Sequence, residues 1–207
     1  MDLKLYAITD ERFMGVENIV EKVMVAIEGG VTVVQYRAKK KEAREMYEEA
    51  LKVREVTRKC RIPFIVNDRV DLALAVNADG VHVGQKDIPV SVIRKIVGGK
   101  FIIGLSTHNI VEAEKAQAEN VNYIGFGPVY VTTTKEKPDP VVGAELLRKV
   151  TAFSRKPVVA IGGINTDNIG EVLACEPTGV AIVRGIFFGN PYKNAKKLRE
   201  IIDATMG

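Results

Sequence analysis

The chain is predicted to fold as an α/β protein, a single (β/α)8 TIM barrel with parallel strands that spans residues 1–207 as one catalytic domain. Three observations predict it. Apolar, β-branched runs of strand length recur eight times, segments with helical periodicity fall between them, and no composition break or Ser/Gly-rich linker divides the 207 residues. Strands that alternate with helices pair in parallel through right-handed crossovers, and a count of eight favours closure.

The first run, Lys4 to Thr9, ends at Thr9 and Asp10 and leads into Val16 to Glu28, where Ile19, Val20, Val23, Met24 and Ile27 share one helical face. The second, Val31 to Arg37, precedes a charged helical segment from Lys41 to Cys60. The third and fourth are Pro63 to Asn67 and Gly80 to Gly84. Only Asp68 to Ala78 separates them, which keeps an open doubly wound sheet as the alternative. The fifth is Phe101 to Thr107. The sixth, Tyr123 to Tyr130, is followed by a long polar stretch, Val131 to Val142, of the kind that forms lids or binding segments. Pro157 to Gly163 and Gly179 to Gly185 complete the set.

Composition narrows the function. Hydrophobic residues make up 46% and charged residues 27%, the balance of an ordinary soluble protein. No apolar run reaches the length of a membrane span and the first ten residues lack the features of a signal peptide, so a cytoplasmic location with no membrane partner is expected. Cys60 and Cys175 have neither disulfide-framework nor zinc-ligand spacing. The net charge is +4, with Lys and Arg dispersed along helices, which argues against nucleic acid and suits small anionic substrates. Assembly into a homo-oligomer is left open.

In such barrels the chemistry sits at the C-terminal ends of the strands. Those ends carry Gln35, Arg37 and Lys39; Asn67 and Asp68; Gln85 and Asp87; Ser106 and His108; Thr132, Thr134 and Lys135; Gly162 and Gly163; and Arg184 with Gly185. Cationic, hydroxyl and glycine N–H groups of this kind bind anions. The glycine-bearing turns after the seventh and eighth runs predict a phosphate site, against the simpler reading of tight turns. Gln35, Arg37 and Lys39 alternate along an extended segment and face one way, with a surface ion pair as the competing role for Lys39. Asp68 and Asp87 are candidate ligands for a divalent metal, since a hard cation takes one or two carboxylates and fills its shell with phosphate and water. Spacing alone favours a plainer role, Asp68 capping the next helix and Asp87 ending a turn before Pro89. His82 reads as a structural mid-strand residue and His108 as lying near a helix start. Neither has an evident Ser or Cys partner, so nucleophilic catalysis has little support.

The segments Gln35-Tyr36-Arg37-Ala38-Lys39, Asn67-Asp68-Arg69, Gly80-Val81-His82-Val83-Gly84-Gln85-Lys86-Asp87, Gly104-Leu105-Ser106-Thr107-His108, Gly127-Pro128-Val129-Tyr130 with Thr132, Thr134 and Lys135, and Ala160-Ile161-Gly162-Gly163-Ile164 closely resemble the thiamine phosphate synthase family, in order along essentially the whole chain. The resemblance implies a transferase that joins a hydroxymethylpyrimidine diphosphate to a hydroxyethylthiazole phosphate and releases pyrophosphate. It also implies Mg2+ as cofactor on Asp68 and Asp87. Gln35, Arg37, Lys39, Asn67, Ser106 and Lys135 would contact the pyrimidine diphosphate, with Arg37, Ser106 and Lys135 as catalytic candidates. Thr132 and Thr134 would line the thiazole side, and the backbone at Gly163 and the end of strand eight, at Val183 and Arg184, would hold the thiazole phosphate. Two departures stand out: Ala38 where the family usually has Glu, and Arg184 where a Ser is usual. The rival readings are thiazole tautomerase, an isomerase whose branch places a His in the segment that here holds Pro128, and a non-catalytic ligand-binding barrel. Whether the thiazole is carboxylated is left open.

Overall fold

The computed structural model describes residues 1–14, 19–132, 134 and 139–207. Eight strands, β1 (Leu5–Ile8), β2 (Val33–Tyr36), β3 (Phe64–Asn67), β4 (Gly80–Val83), β5 (Ile102–Thr107), β6 (Tyr123–Phe126), β7 (Val158–Ile161) and β8 (Gly179–Ile182), form a closed barrel in sequence order. All pairings are parallel, and β8 pairs with β1 through Leu5 opposite Val180. Closure decides against the open sheet. The short third unit is bridged by a helix of only six residues, α4 (Val70–Ala75).

The strands are shorter than the apolar runs, for a local reason. Pro63 and Pro157 have no N–H, so each only accepts, from Val34 N at 3.1 Å and Ile124 N at 3.0 Å, and the ladder proper begins one residue later. The remaining helices are α1 (Glu11–Met14), α2 (Ile19–Glu28), α3 (Ala43–Cys60), α5 (Val90–Val97), α6 (Ile110–Ala116), α7 (Gly143–Phe153), α8 (Ile169–Leu173), α9 (Arg184–Phe187) and α10 (Pro191–Met206). The start predicted for the first helix, Val16, lies outside the described residues. α1 and α9 are single turns that the periodicity argument does not reach, because four residues carry too little of a 3.6-residue pattern. No helix among the described residues is long and apolar enough to cross a membrane.

Two cores hold the structure. The larger lies between sheet and helices. The smaller fills the barrel interior and includes Tyr6, Ile8, Val33, Ile65, Tyr123 and Val159. The alternation of a strand sends every second residue inward. Continuing it past Val33 and Ile65 brings Gln35, Arg37 and Asn67 to the C-terminal mouth, where they line one cavity with His82 and Ser106.

Candidate active site

Arg37 is the pivot of one wall. Its Nη1 donates to Asp10 Oδ2 at 2.6 Å, and Asp10 is only 2% exposed. The same carboxylate accepts from Arg12 Nε and Nη2, both at 2.9 Å, and from the Arg12 backbone N–H at 3.1 Å. Burial alone would raise the Asp10 pKa, but the Arg12 hydrogen bonds and the two guanidinium charges hold it below the ordinary carboxylate value. The half-buried Arg37 cation thus has a protein counter-ion that the strand-end reading left without a role. The available signal was an acid at the end of strand one in a mouth otherwise rich in cations.

Asp68 and Asp87 come together on the next wall. Asp68 does not cap α4: the cap position is Arg69 and no side-chain capping bond forms. Asp68 instead adopts a left-handed backbone, φ 60°, and its carboxylate accepts from Lys39 Nζ. Non-glycine residues in that region are uncommon and cluster at functional sites. Lys39 therefore pairs across the mouth rather than with the glutamates of the following helix. Asp87 does close a turn, accepting from Gly84 N at 2.7 Å. Partial removal from water, together with the adjacent Asp68 carboxylate, raises its pKa. Two carboxylates in contact, one of them disfavoured as an anion, make an oxygen donor set suited to a hard divalent cation. No cluster of three or more His, Cys, Asp or Glu side chains with metal-site geometry occurs among the described residues, which disfavours a closed zinc-type site.

Between these walls a cavity of about 100 Å³ descends into the barrel, bounded by Tyr6, Gln35, Asn67, His82, Ser106 and Tyr123. It opens onto a charged basin of about 700 Å³ that holds Arg37, Lys39, Asp68 and Asp87. The structure corrects the view of His82. It is not a strand filler without a hydroxyl partner: Nε2 lies 2.9 Å from Ser106 Oγ, and Nδ1 lies 2.9 Å from Tyr123 Oη. The alternation that points Asn67 inward on β3 points His82 inward on β4, its register partner.

A third compartment of about 420 Å³ lies beside the cavity, between Thr132, Gly162, Gly163, Val183 and Arg184. Gly162 and Gly163 have φ of 106° and 66°. A Cβ on Gly162 would stand 2.4 Å from Pro128 Cβ, and one on Gly163 would stand 2.6 Å from the Val131 carbonyl oxygen. These are more than tight turns: the glycines let the sixth loop lie against the seventh. Arg184 is exposed, its guanidinium 4.9 Å from the Phe188 ring centroid, at the edge of the compartment.

Two described residues of the sixth loop, Thr134 and Asp139, are tied to the mouth. Thr132 and Thr134 hydroxyls meet at 2.8 Å, Arg12 donates to the Thr134 carbonyl, and His108 Nε2 lies 3.2 Å from Asp139 while its Nδ1 lies 3.0 Å from Glu112. At the base of this loop Tyr130 donates to Glu171 at 2.6 Å, and burial with that bond pushes its phenol up to about 12. Lys135 lies outside the described residues. The other candidate site residues, including Gln85, Asp87 and Val183, line the cavity, the basin or the third compartment.

A parallel eight-stranded barrel with a carboxylate-bearing basin, an inner cavity and a glycine-cornered cleft in one mouth defines a TIM-barrel enzyme of the class that handles phosphorylated small molecules. Comparison with known proteins narrows the class. The profile of the family described as thiamine monophosphate synthase matches residues 5–186. The thiamine-phosphate synthase of Persephonella marina is 49% identical over 98% of this chain and 97% of its own, and thiamine-phosphate synthase 1 of Aquifex aeolicus is 44% identical over 100% and 96%. The solved thiamine phosphate pyrophosphorylase of Pyrococcus furiosus superposes with a TM-score of 0.91 at 41% identity, covering 100% of this chain and 98% of that one. The chain belongs to the thiamine monophosphate synthase family.

Proposed function

We propose that this chain, as one catalytic domain over residues 1–207, condenses 4-amino-2-methyl-5-hydroxymethylpyrimidine diphosphate with 4-methyl-5-(2-hydroxyethyl)thiazole phosphate, giving thiamine phosphate and pyrophosphate. Family membership and close relatives named for this reaction support the activity, which makes the chain a transferase of thiamine biosynthesis. One observation carries the residue roles: cavity, charged basin and glycine-cornered cleft adjoin in a single mouth, in the order that pyrimidine ring, diphosphate and thiazole phosphate require.

The C–O bond to the diphosphate breaks with its electron pair leaving on pyrophosphate, and the thiazole nitrogen lone pair then closes on the pyrimidine methylene carbon. Arg37, Lys39 and Lys135 neutralise the leaving charge, and Asp10 holds Arg37 rigid so that little reorganisation is needed as that charge develops. Asp68 and Asp87 would hold Mg2+ in the basin, where the ion would supply further neutralisation of the diphosphate charge as a Lewis acid. Gln35, Asn67 and Ser106 orient the pyrimidine, Thr132 and Thr134 the thiazole, and the Gly163, Val183 and Arg184 segment its phosphate. Arg12 and His108 hold Thr134 and Asp139 at the mouth, where they help to exclude water that would intercept the cation.

The test is to incubate purified protein with both phosphorylated heterocycles and Mg2+ and to measure thiamine phosphate and pyrophosphate. Asp68→Asn and Asp87→Asn should each reduce coupling at least about 100-fold while the fold persists, the scale of removing a principal electrostatic contact. Absence of coupling with tautomerisation of the thiazole alone would establish the isomerase reading. Binding of both without turnover would establish the non-catalytic one.

A further inference from the structure

A continuous series of hydrogen bonds crosses the inner cavity. Gln35 Nε2 donates to Tyr6 Oη at 2.9 Å, and the Tyr6 and Tyr123 hydroxyls meet at 2.7 Å. Tyr123 Oη reaches His82 Nδ1 at 2.9 Å, and His82 Nε2 reaches Ser106 Oγ at 2.9 Å. The two terminal residues, Gln35 and Ser106, are those assigned to the pyrimidine, and the three between them have no role in that assignment. The barrel makes room for them. A Cβ on Gly104 of β5 would lie 2.2 Å from the Tyr123 ring and 2.4 Å from His82 Nδ1, and one on Gly125 of β6 would lie 3.2 Å from the His82 ring. Burial raises both phenol pKa values, keeping each hydroxyl protonated.

Such a series runs in one sense at a time. A phenol has one proton to give, and a neutral imidazole has one donor and one acceptor nitrogen. The Gln35 amide nitrogen only donates, so the Tyr6 oxygen receives and its proton passes to Tyr123. Tyr123 then donates to His82 Nδ1, which leaves the proton on Nε2, directed at Ser106. Acidity agrees: a phenol is a better donor than a neutral imidazole N–H, and an imidazole nitrogen is a better acceptor than a phenol oxygen. The Ser106 oxygen is thereby engaged as an acceptor, and its own proton is directed to the ligand. With one N–H of the Gln35 amide given to Tyr6, its carbonyl oxygen is the group of that side chain available to accept from a ligand in the cavity.

We propose that Tyr6, Tyr123 and His82 are positioning residues that fix the hydrogen-bond polarity of the pyrimidine pocket, with an acceptor at Gln35 and a donor at Ser106, and so select an aminopyrimidine over its oxo counterpart. The inference rests on the cavity being the pyrimidine site. An amino group beside an unprotonated ring nitrogen matches this polarity. A carbonyl beside a ring N–H inverts it and leaves buried groups unpaired, the circumstance in which discrimination is large.

The experiment compares kcat/KM for the 4-amino and 4-oxo pyrimidine diphosphates in the wild-type chain, Tyr123→Phe and Tyr6→Phe, with 15N NMR of histidine-labelled protein. With only two histidines in the chain, His82 is assigned by loss of the other signal set in His108→Asn. The expected result is an Nε2–H tautomer at His82 and wild-type preference for the amino substrate on the order of 10³ or more. Each Phe variant should lower that preference about tenfold or more, through KM for the pyrimidine diphosphate and not KM for the thiazole phosphate. An Nδ1–H tautomer, or unchanged preference in the folded Phe variants, would overturn the proposal. A wild-type chain that couples neither pyrimidine would overturn the proposed function and the selectivity with it, while the tautomer would still decide the polarity. Tyr→Phe retains the ring that fills the barrel, and the wild-type tautomer needs no variant.

Discussion

Asp10→Asn tests the electrostatic support of the mouth most directly. The substitution keeps size and shape but removes the charge that Arg12 and Arg37 share, and turns one acceptor oxygen into a donor facing guanidinium N–H groups. Breaking one partner out of a buried ion pair costs about 3–5 kcal/mol. Arg12 is 39% exposed and its share is screened, whereas Arg37 is 17% exposed and its share is not. The net loss is therefore about 2–3 kcal/mol, which for a chain of this length lowers Tm by roughly 4–12 °C. Urea unfolding at neutral and acid pH measures it. The sign follows from Asp10's depressed pKa: its contribution is present above the ordinary value of 3.8 and is lost as pH falls through the folded value. The gap between parent and variant should therefore narrow on acidification. A loss under about 0.5 kcal/mol at neutral pH, or a gap that widens in acid, would refute the reasoning.

Four further outcomes follow from the same geometry. Because the Asp87 pKa is raised, its proton competes with Mg2+: calorimetric affinity for Mg2+ should fall as pH drops through that raised value and recover in alkali. Without metal, the raised pKa makes Asp87 cost stability above its folded pKa, a cost relieved toward 3.8, so Mg2+ should raise Tm more at pH 8 than at pH 5. Arg37→Lys retains charge but loses the planar donor fork, and kcat should fall on the order of 10–100-fold; unchanged kcat would show that a point charge suffices. Gly162→Ala places a methyl 2.4 Å from Pro128 Cβ at a φ of 106°, so it should destabilise by at least about 1 kcal/mol and raise KM for the thiazole phosphate; calorimetry and steady-state kinetics report the two effects.

Much of the fold was legible because strand burial is a local property of sequence. Eight apolar runs with the right spacing name the barrel, and period-two alternation already sends Gln35 and Arg37 to one side. The residues at strand ends were found by the same rule. The parts missed are of two kinds. Asp10 and His82 sit where the rule points, but their partners, Arg37 and Ser106, lie 27 and 24 positions away, and no local spacing announces such a pair. The capping role for Asp68 failed because a positive φ, decided by how β3 meets β4, carries the side chain into the basin.

The sequence by itself determined which residues are buried, which stand at the mouth, and what chemistry they carry, since burial and alternation depend on neighbours a few positions away. Strand pairing and closure decided the rest. Once β8 pairs with β1, strands distant in sequence face one another across a narrow axis. Pairing of β1 with β2 and of β3 with β4 already brings Arg37 to Asp10 and Asp68 to Asp87. Closure then joins Gln35 through two tyrosines and a histidine to Ser106 across the axis, because each of these contacts is a distance in space that no distance along the chain encodes.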